Sequence, residues 1–146
     1  MCFVFALLLT SRFRTGLLAL RFVPDTPGIR GVGYGLTVAG MALCVWARLE
    51  LGEYWSDKVA LKVGHRLIRN GPYARLRHPI YSGVLVAIAG TTLAIGEWRG
   101  VVALAVMSVN YLVKAQREDR ILASRFGEEF TAYKRQAGFL APKWGE

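Results

Sequence analysis

The chain has 146 residues, 53% of them hydrophobic and 20% charged, with a formal charge of +9 and a mean hydropathy of +0.32. That hydropathy excludes a disordered chain, and the length fits a single domain, 1–146. The charges are bunched between long apolar runs. A short basic chain of this kind is either a nucleic-acid binder with a large core or a membrane protein whose cytoplasmic loops hold the Lys and Arg.

Taken in chain order, Met1–Leu9 is apolar but too short to span a bilayer, and extending it to Leu20 would bring in Arg12 and Arg14. Residues 1–30 read as a truncated or vestigial first helix, interrupted at Pro24 and Pro27. Gly31–Leu51 reads as a transmembrane helix with its charges, Arg48 and Glu50, at the end, and with a stripe of small residues, Gly31, Gly35, Ala39 and Ala42, suited to a neighbouring helix. Residues 80–96 carry no charge, and 98–113 carry only Arg99. The short turn between them predicts an antiparallel transmembrane hairpin.

Six Lys and Arg fall in 53–79 and seven in 114–146, on the same side of that hairpin, so both segments are predicted to be cytoplasmic. This orientation makes nucleic acid an unsuitable partner for the positive charge. Arg12, Arg14, Arg21 and Arg30 run against it. The tail 114–146 has mixed charge, and Ile121, Leu122, Phe126, Phe130 and Tyr133 recur at helical spacing, with Gly127 dividing two amphipathic helices. Cys2 and Cys44 read as small buried hydrophobes. With only His65 and His78 to join them, no zinc spacing arises and no metal is expected.

Chemistry is expected where His65–Tyr81 meets Lys114–Asp119 at the predicted cytoplasmic end of the hairpin. Pro79 suits the first turn of a helix, whose N-terminal N–H groups would sit beside Arg75, Arg77 and His78 and attract an anion. Lys114 and Glu118 share a helix face, either as a surface ion pair or as a site in which Glu118 accepts hydrogen bonds from a bound cofactor and Lys114 steers an anionic substrate. The same basic loop could instead bind lipid head groups.

From Leu51 to Trp144 the sequence resembles the isoprenylcysteine carboxyl methyltransferase family and the related phospholipid methyltransferases. The likeness rests on Leu51–Ser56, on His65-Arg66-Leu67-Ile68 with Gly71-Pro72-Tyr73, and on Arg77-His78-Pro79-Ile80-Tyr81-Ser82-Gly83. It continues in Glu118-Asp119, where the family has a Glu pair, and in Phe126–Phe130 with Tyr133. Lys114 in place of Arg, Asp119 in place of Glu and Phe130 in place of Tyr depart from the family pattern.

The resemblance implies an all-α integral membrane bundle of about three to four transmembrane helices, with a cytoplasmic cofactor pocket formed by the 53–79 loop and the C-terminal helices. It implies S-adenosylmethionine as cofactor, held by His65, Gly71, Tyr73, His78, Pro79, Tyr81 and Glu118, with Lys114 and Arg77 holding the acceptor. The expected acceptor is a carboxylate on an isoprenylcysteine-like or other lipidic molecule, methylated at the cytoplasmic face of a cell inner membrane or an ER-type membrane. Competing readings are an NADPH-dependent membrane reductase of the sterol type and a non-catalytic membrane protein that binds anionic lipid.

Overall fold

The computed structural model describes residues 16–52 and 67–143. Three α-helices dominate: α1, Pro27–Leu51; α2, Pro79–Ile95; and α3, Trp98–Gln136, with 3-10 turns at Gly16–Ala19 and Gly71–Ala74. Among the described residues no strand forms, only two isolated bridges, so the all-α expectation holds. Contacts divide the chain into two compact units, Met1–Met41 with Gly83–Tyr111, and Ala42–Ser82 with Leu112–Glu146.

Helix α1 begins four residues before the expected Gly31. Thr26 caps it, accepting the Ile29 N–H at 3.3 Å through its hydroxyl and the Arg30 N–H at 3.1 Å through its carbonyl. Pro27, read from sequence as a breaker, takes the first helical position, where a missing N–H costs nothing. Among the described residues α1 is the one helix long and apolar enough to cross a membrane, and only 17% of its most apolar window is buried. A core helix of a soluble fold would bury most of that surface. Here Val32, Tyr34, Val38, Met41, Val45 and Leu49 face outward, an apolar face suited to lipid.

The inward stripe of α1 is Gly33, Thr37, Gly40, Cys44 and Ala47, spaced alternately by four and three residues. The expected stripe was out of phase: Gly31 and Gly35 have nothing within 4 Å of a Cβ position. In the first unit the backbones of α1 and α2 nearly touch. A Cβ on Gly33 would lie 2.7 Å from the Gly90 carbonyl oxygen, one on Gly90 2.6 Å from the Gly33 carbonyl oxygen, and one on Gly40 would strike the Gly83 carbonyl. Thr37 fills the gap, its hydroxyl donating to the Gly33 carbonyl at 2.9 Å and lying 3.3 Å from the Thr91 hydroxyl.

The α2–α3 turn is less exposed than its polar sequence suggests. Glu97 and Arg99 are 4% and 6% exposed and pair at 2.7 Å. Residues 20–22 run beside this turn, with Phe22 N–H donating to the Gly96 carbonyl and Trp98 N–H to the Leu20 carbonyl. The structure accounts for two of the four anomalous arginines: Arg21 and Arg30 both pair with Asp25, at 3.5 and 2.7 Å. Arg12 and Arg14 lie outside the described residues.

Helix α3 runs past Val113 into the charged residues and, counting the kink at Gly127, extends over 39 residues. A change from apolar to charged composition does not by itself break a helix, and the Lys, Ala, Gln, Arg and Glu that follow Val113 are good helix formers. The break comes at Gly127, at φ 51 and ψ −118, a conformation that glycine alone adopts without strain. Beyond it, Phe130, Tyr133 and Ala137 form the core of the second unit, with Leu67, Leu122 and Phe126 packed against them.

Gly40→Ala should therefore lower stability by about 1–3 kcal/mol through backbone overpacking, whereas Gly35→Ala should be neutral or gain up to about 1 kcal/mol of helix propensity. Thermal unfolding of both variants in one detergent checks the contrast.

Candidate functional site

All of the site geometry lies in the second unit. Loop 70–78 is short and held at several points. Gly71, at φ 55, passes close to the Glu50 side chain, and the turn Gly71–Ala74 buries Pro72 and Tyr73. Tyr133 donates its hydroxyl to the Tyr73 carbonyl at 2.7 Å, and the same oxygen lies 3.3 Å from the Leu76 carbonyl. Burial pushes the Tyr133 phenol up to about 12, with Arg77 and Arg69 partly opposing it. Burial also raises Tyr73. Both phenols keep their protons at neutral pH.

The loop ends by starting α2. His78 precedes Pro79, and its carbonyl accepts the Ser82 N–H at 3.1 Å, the first bond of the helix. This fixes His78 and Tyr81 on one side of the helix start, where their rings stack 5.6 Å apart and within 8° of parallel. The expectation that Pro79 opens the helix is met.

Opposite them, α3 presents Glu118 and Asp119. His78 Nε2 lies 2.9 Å from Asp119 Oδ1 and His78 Nδ1 lies 3.3 Å from Glu118 Oε2. Arg77 donates to Asp119 Oδ2, and the Tyr81 hydroxyl donates to Glu118 Oε1. All four carboxylate oxygens are thus engaged by a cation or a hydroxyl. A carboxylate retains further lone pairs, and at 27% side-chain exposure Glu118 is the more accessible of the pair, against 14% for Asp119.

The two ring nitrogens of His78 each face a carboxylate, which favours the doubly protonated imidazolium. Burial, the largest single influence, pushes this histidine down; the Asp119 and Glu118 carboxylates together outweigh it and hold the group above its ordinary 6.5. Lys114 joins by another route, its Nζ lying 5.4 Å from the centroid of the Tyr81 ring.

Of the residues expected from sequence, His78, Pro79, Tyr81, Lys114, Glu118 and Arg77 come together here. Gly71 and Tyr73 belong to the loop that leads into the cluster. His65 lies outside the described residues. Arg77, expected to hold an acceptor, commits its guanidinium to Asp119 and to the ring of Phe139. Asp119, Phe139 and Tyr133 were not singled out as site residues. Asp119 was legible as half of the acidic pair; Phe139 falls beyond the last helical period and carries no signal. Among the described residues no group of three or more His, Cys, Asp or Glu side chains comes together that could hold a metal ion.

Two outcomes follow. His78 is raised in the folded state, so its contribution to stability is full below about pH 6.5 and is lost as pH rises through its raised value. Thermal midpoints measured upward from pH 6.5 should fall in the native protein, and His78→Asn should flatten that part of the slope. Asp119→Ala leaves Arg77 and His78 buried without their shared carboxylate and should cost about 3–5 kcal/mol, read by the same unfolding measurement.

The family model "Isoprenylcysteine carboxyl methyltransferase (ICMT) family" matches residues 33–124. A protein-S-isoprenylcysteine O-methyltransferase of Schizosaccharomyces pombe is 27% identical over 105 residues, 70% of this chain and 44% of its own length. A methanethiol S-methyltransferase of Pseudomonas sp. is 33% identical over 125 residues, 76% of this chain and 47% of its own length. The solved structure of the eukaryotic intramembrane Ras methyltransferase matches the fold with a TM-score of 0.73 at 24% identity, over 79% of this chain and 42% of that one. The chain thus spans less than half the length of each of these relatives. With residues 33–124, well over half of the chain, matched by the family model, the chain belongs to the isoprenylcysteine carboxyl methyltransferase family.

Proposed function

We propose that this chain acts as an integral membrane methyltransferase that uses S-adenosylmethionine at the cytoplasmic face and methylates the carboxylate of an isoprenylcysteine-like or other lipidic acceptor. The observation that carries this reading is the meeting of His78 and Tyr81 with Glu118 and Asp119, some forty residues away, in one hydrogen-bonded cluster. The donor set fits the cofactor. The part-exposed Glu118 carboxylate, with lone pairs beyond those that Tyr81 and His78 engage, suits an ammonium or ribose hydroxyls. Gly71, Tyr73 and His65 complete the set of residues proposed to hold the cofactor.

S-adenosylmethionine supplies an electrophilic methyl group on a sulfonium. The protein's part is to hold, align and dry. Glu118 binds, Asp119 fixes His78 and Arg77, and Lys114 orients an anionic acceptor as a point charge, without the fork geometry an arginine would give. A carboxylate acceptor is already ionised near neutral pH. It therefore needs no general base, which suits a site whose own carboxylates are all engaged. The apolar outward face of α1 is consistent with a lipidic acceptor arriving through the bilayer. Alignment and desolvation supply the rate enhancement.

A second reading is favoured by one comparison: the methanethiol S-methyltransferase is the relative of higher identity over the longer match. A thiol acceptor reacts as the thiolate and has to lose a proton first.

Incubation of the purified chain with methyl-labelled S-adenosylmethionine and, separately, a farnesylcysteine analogue, a short alkyl thiol and a membrane lipid extract tests both readings. Label in the farnesylcysteine or lipid fraction supports the carboxylate reading, and label in the thiol alone replaces it with the second. No transfer to any acceptor, together with no saturable cofactor binding, overturns both. Glu118→Ala should weaken cofactor binding by about ten- to a hundredfold. Lys114→Met should raise KM for an anionic acceptor while leaving cofactor affinity unchanged.

A further inference from the structure

Beyond the helical part of the chain, residues 137–143 lie as a strap along the loop that carries Arg77 and His78. Arg77 N–H donates to the Gly138 carbonyl at 2.8 Å and Gly138 N–H to the Arg75 carbonyl at 3.0 Å. On the other side of Phe139, the Leu140 carbonyl accepts the Ser82 hydroxyl at 2.8 Å. The backbone on both sides of Phe139 is thus pinned to 75–82, and its ring is presented by a fixed support.

That ring touches both cations of the cluster. The Arg77 guanidinium carbon lies 5.1 Å from the ring centroid, and the His78 imidazole meets the ring at 5.2 Å and 81°, edge to face. Arg77 has need of such a contact. Its terminal nitrogen donates to Asp119, but its buried Nε has no hydrogen-bond partner. A guanidinium tethered at one end can pivot about that bond, and a flat aromatic face restrains the pivot.

We infer that Phe139 is a positioning residue for the proposed cofactor site: its ring sets the orientation of Arg77 and His78, and through them the share of Asp119 and Glu118 that each cation takes. Phe139 acts through its neighbours and touches no substrate. Without the ring, Arg77 and His78 redistribute over the two carboxylates, and Glu118 loses the fixed geometry with which it receives a ligand. The affinity consequence rests on the methyltransferase reading; the ordering of His78 does not.

The test is a ring series in the full chain in detergent: Phe139→Tyr, Phe139→Trp, Phe139→Leu and Phe139→Met, titrated with S-adenosylhomocysteine. Positioning by the ring predicts that Tyr stays within about twofold of the native protein and that Leu and Met weaken binding by roughly three- to tenfold. Arg77→Met should abolish the difference between Phe and Leu. A residue that merely fills space would tolerate Leu and Met, which supply comparable apolar volume, and equal affinity for Phe, Leu and Met overturns the inference. Met is the second variant should Leu fail to fold.

An independent readout uses the chain's two histidines. In a His65→Gln background, imidazole N–H signals belong to His78. Slow exchange with water in the Phe and Tyr forms, lost in the Leu and Met forms, supports the inference. Equal protection in all four overturns it. If native protein fails to bind S-adenosylhomocysteine, the methyltransferase reading falls while the imidazole signals still decide the role of Phe139.

Discussion

His78 sits between two carboxylates that would repel each other without it. With Nε2 on Asp119 and Nδ1 on Glu118, the ring links the first residues of α2 to the middle of α3. Burying an acidic pair is costly unless each charge is matched, and the matching cations come from the same loop: Arg77 on Asp119 and His78 on both. The loop therefore has to be fixed, and the rest of the second unit fixes it. Tyr133 bonds its carbonyls, the strap at Gly138 binds its backbone, and Phe130, with 0% exposure, anchors the segment that carries them.

The proposed cofactor site differs from a pocket lined by independent side chains. Binding of a positively charged ligand at Glu118 has to draw on the same carboxylates that already hold Arg77 and His78, so ligand and internal cations compete for one reservoir of negative charge. This gives the charge at His78 a role in both stability and ligand affinity. Phe139 packs against both of these cations, and in the proposal its ring sets how Arg77 and His78 share the two carboxylates.

Much of this was legible in the sequence where it is written in contiguous residues. Arg77-His78-Pro79-Ile80-Tyr81 contains both a helix start and the side chains that project from it, and Glu118-Asp119 stands out after a long apolar run. The phase of α1 was not legible. In an apolar helix rich in glycine, Gly31 and Gly35 make as good a stripe as Gly33 and Gly40, and only contact with α2 chooses between them. The break of α3 at Gly127 was legible as a glycine between two amphipathic stretches, and Val113 ends an apolar run without ending the helix. The burial of Glu97 and Arg99 depends on residues 20–22 returning to the turn, a long-range event that local polarity does not encode. Phe139 has no periodic neighbours and becomes meaningful only beside Arg77 and His78.

Ultraviolet crosslinking of labelled S-adenosylmethionine to the purified chain, followed by peptide mapping, tests the central claim most directly. The account predicts label confined to peptides containing 65–82 or 114–119 and suppressed by S-adenosylhomocysteine. Label at the turn around Glu97, or label that S-adenosylhomocysteine does not displace, would contradict it.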